Sequence, residues 1–339
     1  MEVDSRMSGL RDKGFKRFFT PIFLLCFGIV FLIFREDGYG SILRRDMAVQ
    51  AGVDPLPLRI MVFDSSFVDI VLDVSEDFIA RSGLKGNESG VIDISVVRKI
   101  LMDYELEYAR PIFAKRKEPV GNLKKQLSRL GILCVDYCEK CGTNENEAAK
   151  VRLTLCSPGG RKISCCSVTG ISDLVKRGVD ASKFGYNEHT LIDGHLLFYD
   201  DYVEKILKVS KDRDNRVILD MSDQLAVREL CSRFWFLLPQ VDMIFFSAES
   251  ARVFTGMSSL SAACKFLSKF QKLVVVRDDD LRIFFLSDSK DRGVYQRDFS
   301  SKEEAELFQS GFLFGYLSGE RSEYCISCAE SLSSEEDLA

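Results

Sequence analysis

Histidine is almost absent: the 339 residues contain two, His189 and His195. That leaves little room for a histidine-rich metal site or a Ser-His-Asp triad. No basic stretch occurs in the body of the chain, and the formal net charge is −5. Nucleic acid is therefore not expected as a partner. No internal repeat or low-complexity tract is present, so the chain does not read as a solenoid or a disordered array. No small-x-small site directly follows the apolar segment near the N-terminus, which argues against a cleaved signal peptide.

What is present is a chain able to bury a full core, with 46% hydrophobic residues. It reads as one large domain with appendages: a basic segment over 1–17, an apolar segment over 18–34, a linker over 35–57, the domain over 58–330 and an acidic tail over 331–339. Phe18 to Phe34 carries no charge and is flanked by Arg11, Lys13, Lys16 and Arg17 before it and Arg35 after it. Seventeen helical residues rise about 26 Å, just short of the hydrocarbon thickness. The segment is expected to anchor the chain to a membrane, or else translation starts downstream, with Met47 a candidate. The flanking charges place the N-terminus inside and the body outside the cytoplasm.

The cysteines pull the other way. There are 11, an odd number, mostly inside apolar runs (Cys134, Cys156, Cys165, Cys166, Cys231, Cys264), where free thiols behave as small hydrophobes. That favours a reducing, cytoplasmic compartment over a disulfide framework. Two CxxC pairs, Cys138/Cys141 and Cys325/Cys328, could together supply four thiolates for zinc. The second pair falls in an expected C-terminal helix, and no metal site is assigned.

From Leu58 onward short apolar β-type runs alternate with longer helical ones. Strands are expected at Leu58–Phe63, Ile132–Val135, Val151–Cys156, Lys162–Val168 and Leu191–Phe198. Further strands are expected at Arg216–Asp220, Asp242–Phe246, Lys272–Val276 and Arg282–Leu286. Helices are expected at Asn122–Leu130, Asp200–Asp212, Asp223–Leu238, Ser247–Thr255, Ser258–Phe270 and Ser301–Ser318. Val217-Ile218-Leu219 and Leu273-Val274-Val275-Val276 are apolar throughout, as in strands buried on both faces. The fold class is α/β, a mostly parallel central sheet with helices on both faces.

The last of these helices begins unusually. Ser301 followed by Glu304 reads as a capping box, and Glu303, Glu304 and Glu306 fill the first turn. A helix start gathers unpaired N–H groups and partial positive charge, a natural seat for phosphate. Three carboxylates there occupy that field themselves. At an effective dielectric near 20, like charges about 4 Å apart cost roughly 4 kcal/mol per pair.

Several stretches resemble the ribokinase/phosphofructokinase-B family, nearest its adenosine-kinase-like branch. They are the run from Ile60 to Ile70 with Asp69, Gly83-Leu84-Lys85-Gly86, Asn122-Leu123 through Leu130-Gly131, and Pro158-Gly159-Gly160-Arg161-Lys162. Asp193-Gly194-His195-Leu196, Leu219-Asp220-Met221-Ser222-Asp223, and Phe308 with Gly311-Phe312-Leu313 and Gly315 complete the set. The resemblance spans about Leu58 to Cys328. It implies a three-layer ribokinase-like fold with a small β lid, dimers formed through lid strands, and transfer of the ATP γ-phosphoryl group to a sugar or nucleoside hydroxyl with magnesium. Asp69 and Asn122 match the family's substrate-binding positions, and Glu306 matches its catalytic base.

The phosphate-handling positions depart from the family pattern. Its Gly-Ala-Gly-Asp helix start reads Glu303-Glu304-Ala305-Glu306, and its Asn-x-x-Glu magnesium motif reads Ser247-Ala248-Glu249-Ser250. Its glycine-bearing nucleotide loop reads Arg277-Asp278-Asp279-Asp280-Leu281-Arg282, a solvated hairpin turn by composition. Glycines there let backbone approach phosphate, and side chains remove that approach. No residue is therefore assigned to nucleotide or metal, and Mg-ATP is the cofactor only if activity is retained. The expectation is a kinase-fold protein kept for binding a sugar, a nucleoside or a partner; the alternative is a divergent active kinase. Asp69 read locally could end a strand and cap a turn, and Asn122 could cap its helix.

Overall fold

The computed structural model describes residues 58–64, 67–84, 90–117, 121–137, 150–168, 178–199, 201–271, 273–278, 283–288 and 294–334. The basic segment 1–17, the apolar segment 18–34, the start at Met47, the linker 35–57, and Cys138 and Cys141 lie outside them, as does the acidic tail apart from residues 331–334. Among the described residues no helix is long and apolar enough to cross a membrane.

The chain opens with β1 (Arg59–Phe63), β2 (Phe67–Asp73), α1 (Glu76–Arg81), β3 (Gly90–Val91), α2 (Ile94–Tyr108) and β4 (Ala114–Lys117). Then follow α3 (Gly121–Arg129), β5 (Leu133–Asp136), β6 (Lys150–Cys156), β7 (Lys162–Val168) and β8 (His189–Asp193). The α/β alternation continues through α4 (Tyr202–Asp212), β9 (Arg216–Met221), α5 (Gln224–Leu237), β10 (Met243–Ser247), α6 (Ala248–Thr255) and α7 (Leu260–Leu267). It closes with β11 (Leu273–Asp278), β12 (Ile283–Asp288), β13 (Tyr295–Asp298), α8 (Lys302–Leu317) and α9 (Ser322–Ser334).

Eight strands form the central sheet in the order β13-β12-β11-β10-β9-β8-β1-β5. The six from β11 to β5 run parallel, and β12 and β13 add an antiparallel hairpin at one edge. Helices cover both faces in a three-layer α/β arrangement. Met61, Phe63, Ile192, Leu219, Phe246 and Val276 project to one side, where they pack on residues of α4 to α7. The alternate residues Ile60, Val62, Leu191, Ile218, Phe245 and Val275 are buried too. Burial on both faces is why these strands read as unbroken apolar runs.

A second sheet of five strands, in the order β3-β7-β6-β2-β4, is the small lid. Its β2, β4 and β3 and the helices α1 and α2 were not expected from the sequence. β2 reads Phe-Val-Asp-Ile-Val-Leu-Asp, where Asp69 and an exposed Val71 blur the alternation. α2 carries Met102 and Leu106 in solvent, 63% and 82% exposed, so its apolar stripe is hidden among outward hydrophobics. One face of the five-stranded sheet is apolar: Val68, Ile70, Leu72, Leu153, Leu155 and Ile163 pack on Phe78, Ile79, Val97 and Ile100 of α1 and α2. By the period of two, the other face presents Phe67, Asp69, Lys150, Arg152 and Cys166. The register places Asp69 across from Arg152 on one side and Lys115 on the other, and Arg152 across from Cys166.

Two expected elements differ in extent. The strand expected over Leu191–Phe198 ends at Asp193, and Gly194–Phe198 coil into a 3-10 turn. The Asp193 carboxylate accepts from the His195 N–H at 3.1 Å and so caps that turn. A Cβ on Gly194 would lie 2.6 Å from the Asp220 carbonyl oxygen, so only glycine lets the turn pass β9 this closely. The helix expected over Ser258–Phe270 is confined to Leu260–Leu267, with Ser259 Oγ accepting from Ala262 N–H at 3.3 Å.

The described chain divides into a large unit ending at Ser310, which Leu332–Ser334 rejoin, and a short helical unit, Gly311–Ser331. Within the short unit α8 and α9 meet at Gly315, where a Cβ would lie 2.8 Å from Cys325 Cα. All eight described cysteines are free thiols. Burial pushes Cys165 and Cys264 up to about 12.

Candidate functional site

The carboxyl ends of parallel strands are where α/β sheets bind ligands, because the loops there diverge and helix starts point inward. Here β8, β9, β10 and β11 end in Asp193, Met221, Ser247 and Asp278. The polar face of the five-stranded sheet turns toward the ends of β8 and β9, and charged groups from both sheets meet in one buried cluster.

His195 is its centre. Its Nδ1 lies 2.8 Å from Asp193 Oδ1 and its Nε2 2.8 Å from Asp223 Oδ2. An imidazole with a carboxylate at each nitrogen is suited to the doubly protonated form. Burial and the neighbouring Lys150 push its proton affinity down, but Asp193 and Asp223 outweigh them and hold it above the ordinary histidine range. Asp223 also caps α5, its Oδ1 accepting from Leu225 and Ala226 N–H at 2.8 and 3.1 Å, and it pairs with Arg152 of the five-stranded sheet. Burial works against ionisation of Asp223, yet His195, Lys150 and Arg152 hold it well below the usual carboxylate range.

Phe67 floors the cluster. The Arg152 guanidinium lies over its ring at 4.5 Å and the Lys150 ammonium at 5.3 Å, with Phe198 5.9 Å from the same ammonium. Lys150 is 2% exposed, and its Nζ has no hydrogen-bond partner.

Asp69, the expected substrate ligand, is buried on this same face. It is the third residue of the seven in β2, so the alternative that it ends a strand and caps a turn is corrected. Asn122 lies inside the first turn of α3, one residue past the helix start, rather than ahead of it as a cap.

The helix start of α8 is closed by its own residues. Glu304 N–H donates to Ser301 Oγ at 3.0 Å, while the Ser300 N–H and hydroxyl each donate to Glu304 Oε2 at 2.7 Å. This is the expected capping box, with the return bond displaced by one residue to Ser300. Arg297 donates to Oε1 of the same carboxylate at 3.3 Å. Burial raises the Glu304 carboxyl, but Ser300 and Arg297 outweigh it and hold it low. Glu306 follows half-buried in the next turn, where its carbonyl accepts from Ser310 Oγ at 2.8 Å.

At the start of α6, Ser247 Oγ accepts from Ser250 N–H at 3.1 Å and donates to Ser250 Oγ at 2.8 Å, and Ser250 Oγ donates to the Ser222 carbonyl. Both serines in the magnesium-motif positions are thus committed to local structure, and Glu249 is exposed. Asp278 is 6% exposed at the end of β11 and 3.8 Å from Arg252, which corrects its assignment to a solvated turn. Asp279 to Arg282 lie outside the described residues.

Sequence reasoning named Asp69 but not the cluster beside it. His195, Asp193 and Asp223 belong to two of the stretches that resemble the family, and neither stretch by itself shows that they meet. Lys150 precedes the expected strand Val151–Cys156, and the structure starts that strand one residue earlier, at Lys150 itself. The available signal was the alternation Lys150-x-Arg152, two cations on one face of an otherwise apolar strand.

No family model matches the sequence, and no curated protein sequence matches it. Solved structures do. The chain is similar to adenosine kinase from Sinorhizobium meliloti, with TM-score 0.60 and 16% identity over 82% of this chain and 93% of that one. A probable sugar kinase from Rhizobium etli matches with TM-score 0.57 and 16% identity over 82% and 92%. Anopheles gambiae adenosine kinase, in complex with a diadenosine tetraphosphate, matches with TM-score 0.57 and 13% identity over 83% and 95%. Together with the sheet order, the helices on both faces and the five-stranded lid, these likenesses give the chain its fold: it is a ribokinase/PfkB-like α/β protein.

Proposed function

We propose that this protein binds a sugar- or nucleoside-like small molecule on the polar face of its lid and has given up phosphoryl transfer. The observation that carries the reading is the start of α8, where Ser301 takes the Glu304 N–H while Ser300 and Arg297 take the Glu304 carboxylate. Phosphoryl transfer works by placing donors and positive charge around the moving phosphate. Here the chain's own carboxylate holds that place. The serines at the start of α6 support the same reading, since they bond to each other and to backbone.

A second reading is favoured by one observation: Asp69 is buried on the ligand face and Glu306 stays half-buried one turn into α8. Asp69 would then grip the acceptor hydroxyl and Glu306 would take its proton, with Mg-ATP as donor.

Thermal unfolding of the full chain with and without millimolar Mg-ATP separates the two. A ligand at one hundred times its dissociation constant adds about 2.7 kcal/mol, several degrees for a chain this size. The binding-protein reading expects no shift. It also expects nucleotide affinity to rise when Glu303→Gly, Glu304→Ala, Ala305→Gly and Glu306→Asp are combined. A clear Mg-ATP shift in the unaltered protein would reject it in favour of the divergent kinase.

A further inference from the structure

The hydrogen bonds of the buried cluster are unevenly shared. Asp193 is bonded to the His195 N–H and ring, and Asp223 to His195, to Arg152 and to two amides of α5. These carboxylates thus hold His195 and Arg152. Lys150 stands beside them with three N–H donors, almost no exposure and no acceptor. Aromatic faces at 5.3 and 5.9 Å ease an ammonium but do not replace hydrogen bonds. A buried ammonium without an acceptor is costly, and such groups persist where something else supplies the partner.

We propose that the ligand of this face is acidic, a sugar or nucleoside bearing a phosphate or carboxylate, with Lys150 as the charge partner of that group. The inference rests on the reading of this face as the ligand site, and narrows its chemistry. Phe67 and Phe198 flank the ammonium and leave its N–H donors for oxygen. Asp69 faces the same side from β2 and is placed to accept from a ligand hydroxyl, the neutral end of the same molecule. Arg152 and His195 are held by Asp193 and Asp223, so their role toward the ligand is to fix the floor of the site rather than to bind the anion. Burial pushes the Lys150 amine below its ordinary range. An anion on Nζ works the other way and favours the charged amine.

The test is thermal unfolding and calorimetry of the full chain with ribose, ribose 5-phosphate and ribonate, on the unaltered protein and on Lys150→Met. The expected result is a stabilising shift with ribose 5-phosphate or ribonate beyond that with ribose. Affinity should weaken by at least about tenfold in the variant, as for loss of a charge-assisted bond. Which of the two acids is preferred tells phosphate from carboxylate. The unliganded variant should melt at or above the unaltered protein, since an unpaired buried charge has been removed. An equal shift with ribose, or the same acid affinity in Lys150→Met, overturns the proposal while leaving a ligand site on this face. No shift with any of the three overturns it as well, and the Mg-ATP measurement then judges the parent reading separately. The comparison of ribose with its acids in the unaltered protein stands whether or not the variant folds.

Discussion

Asp223→Asn isolates the charge of the cluster from its architecture. Asparagine is as good a helix cap as aspartate, so the Oδ1 that accepts from Leu225 and Ala226 at 2.8 and 3.1 Å is preserved. The other oxygen becomes an NH2 group, aimed at Arg152 and at His195 Nε2 2.8 Å away. Two cations lose an acceptor and gain a donor. Breaking a buried ion pair by removing one partner costs about 3–5 kcal/mol. The Arg152 side chain is 29% exposed, which puts the expected loss at the lower end, about 3 kcal/mol. Urea unfolding reads this as a lower midpoint at unchanged slope, and heating as a fall of about 6–12 °C. The pH dependence is a second readout. His195 holds its proton more tightly folded than unfolded, so its stabilisation is fully present below the unfolded value near 6.5 and is lost as pH rises through the raised folded value. With one of the two carboxylates gone, that alkaline loss should still begin near the unfolded value but end at lower pH and be smaller. A change within about 0.5 kcal/mol, with an unaltered alkaline limb, would refute the buried-cluster account.

Gly315→Ala should cost about 1–3 kcal/mol, because the added methyl meets Cys325 Cα at 2.8 Å and the helix backbones must part; a variant as stable as the original would contradict the packing of α8 on α9. His189 is pushed down to about 3, by burial first and Arg216 second. Its stabilisation is therefore complete above the unfolded value near 6.5 and is lost as pH falls from there toward 3, by as much as 4–5 kcal/mol. His189→Gln should flatten that acid limb in urea titrations, and an identical limb in the variant would rule out the assignment.

The parts of the fold that could be read from the sequence are those where one physical demand dominates. Val217-Ile218-Leu219 and the run Leu273 to Val276 must be apolar on every residue because both faces are covered, and the structure puts all seven at 5% exposure or less. Ser301 and Glu304 announced a helix start because capping needs those types at that spacing, and the bonds form. In the lid, β6 and β7 read as strands from their apolar runs, while β2 does not: Asp69 and Asp73 interrupt its apolar residues and dilute the signal that marks a strand. The cluster was hidden for a related reason. His195, Asp193 and Asp223 come from two chain segments, and Lys150 and Arg152 from a third. Only the packing of the five-stranded sheet's polar face against the ends of β8 and β9 brings them into one cluster.

Phosphate binding and stability compete at a helix start such as that of α8. A phosphate-binding start leaves its amides open and uses glycine, which costs about 1 kcal/mol per helical residue relative to alanine. A closed start uses those donors itself and contributes about 0.5–2 kcal/mol through its cap. In this chain Glu304 supplies both halves of the closure, giving its N–H to Ser301 and taking Ser300 and Arg297 on its carboxylate. An entering phosphate would have to break those bonds and face the carboxylate left behind. Under the reading proposed above, loss of transfer chemistry and gain of helix stability are then one event, made by the same substitutions. The lid face carries no such exchange: its charged residues are buried at a cost that local packing does not offset, most plainly at Lys150. A chain relieved only of catalysis would be expected to keep that second arrangement and lose the first, because a ligand can still offset the burial of Lys150 while no phosphate remains to offset an open helix start.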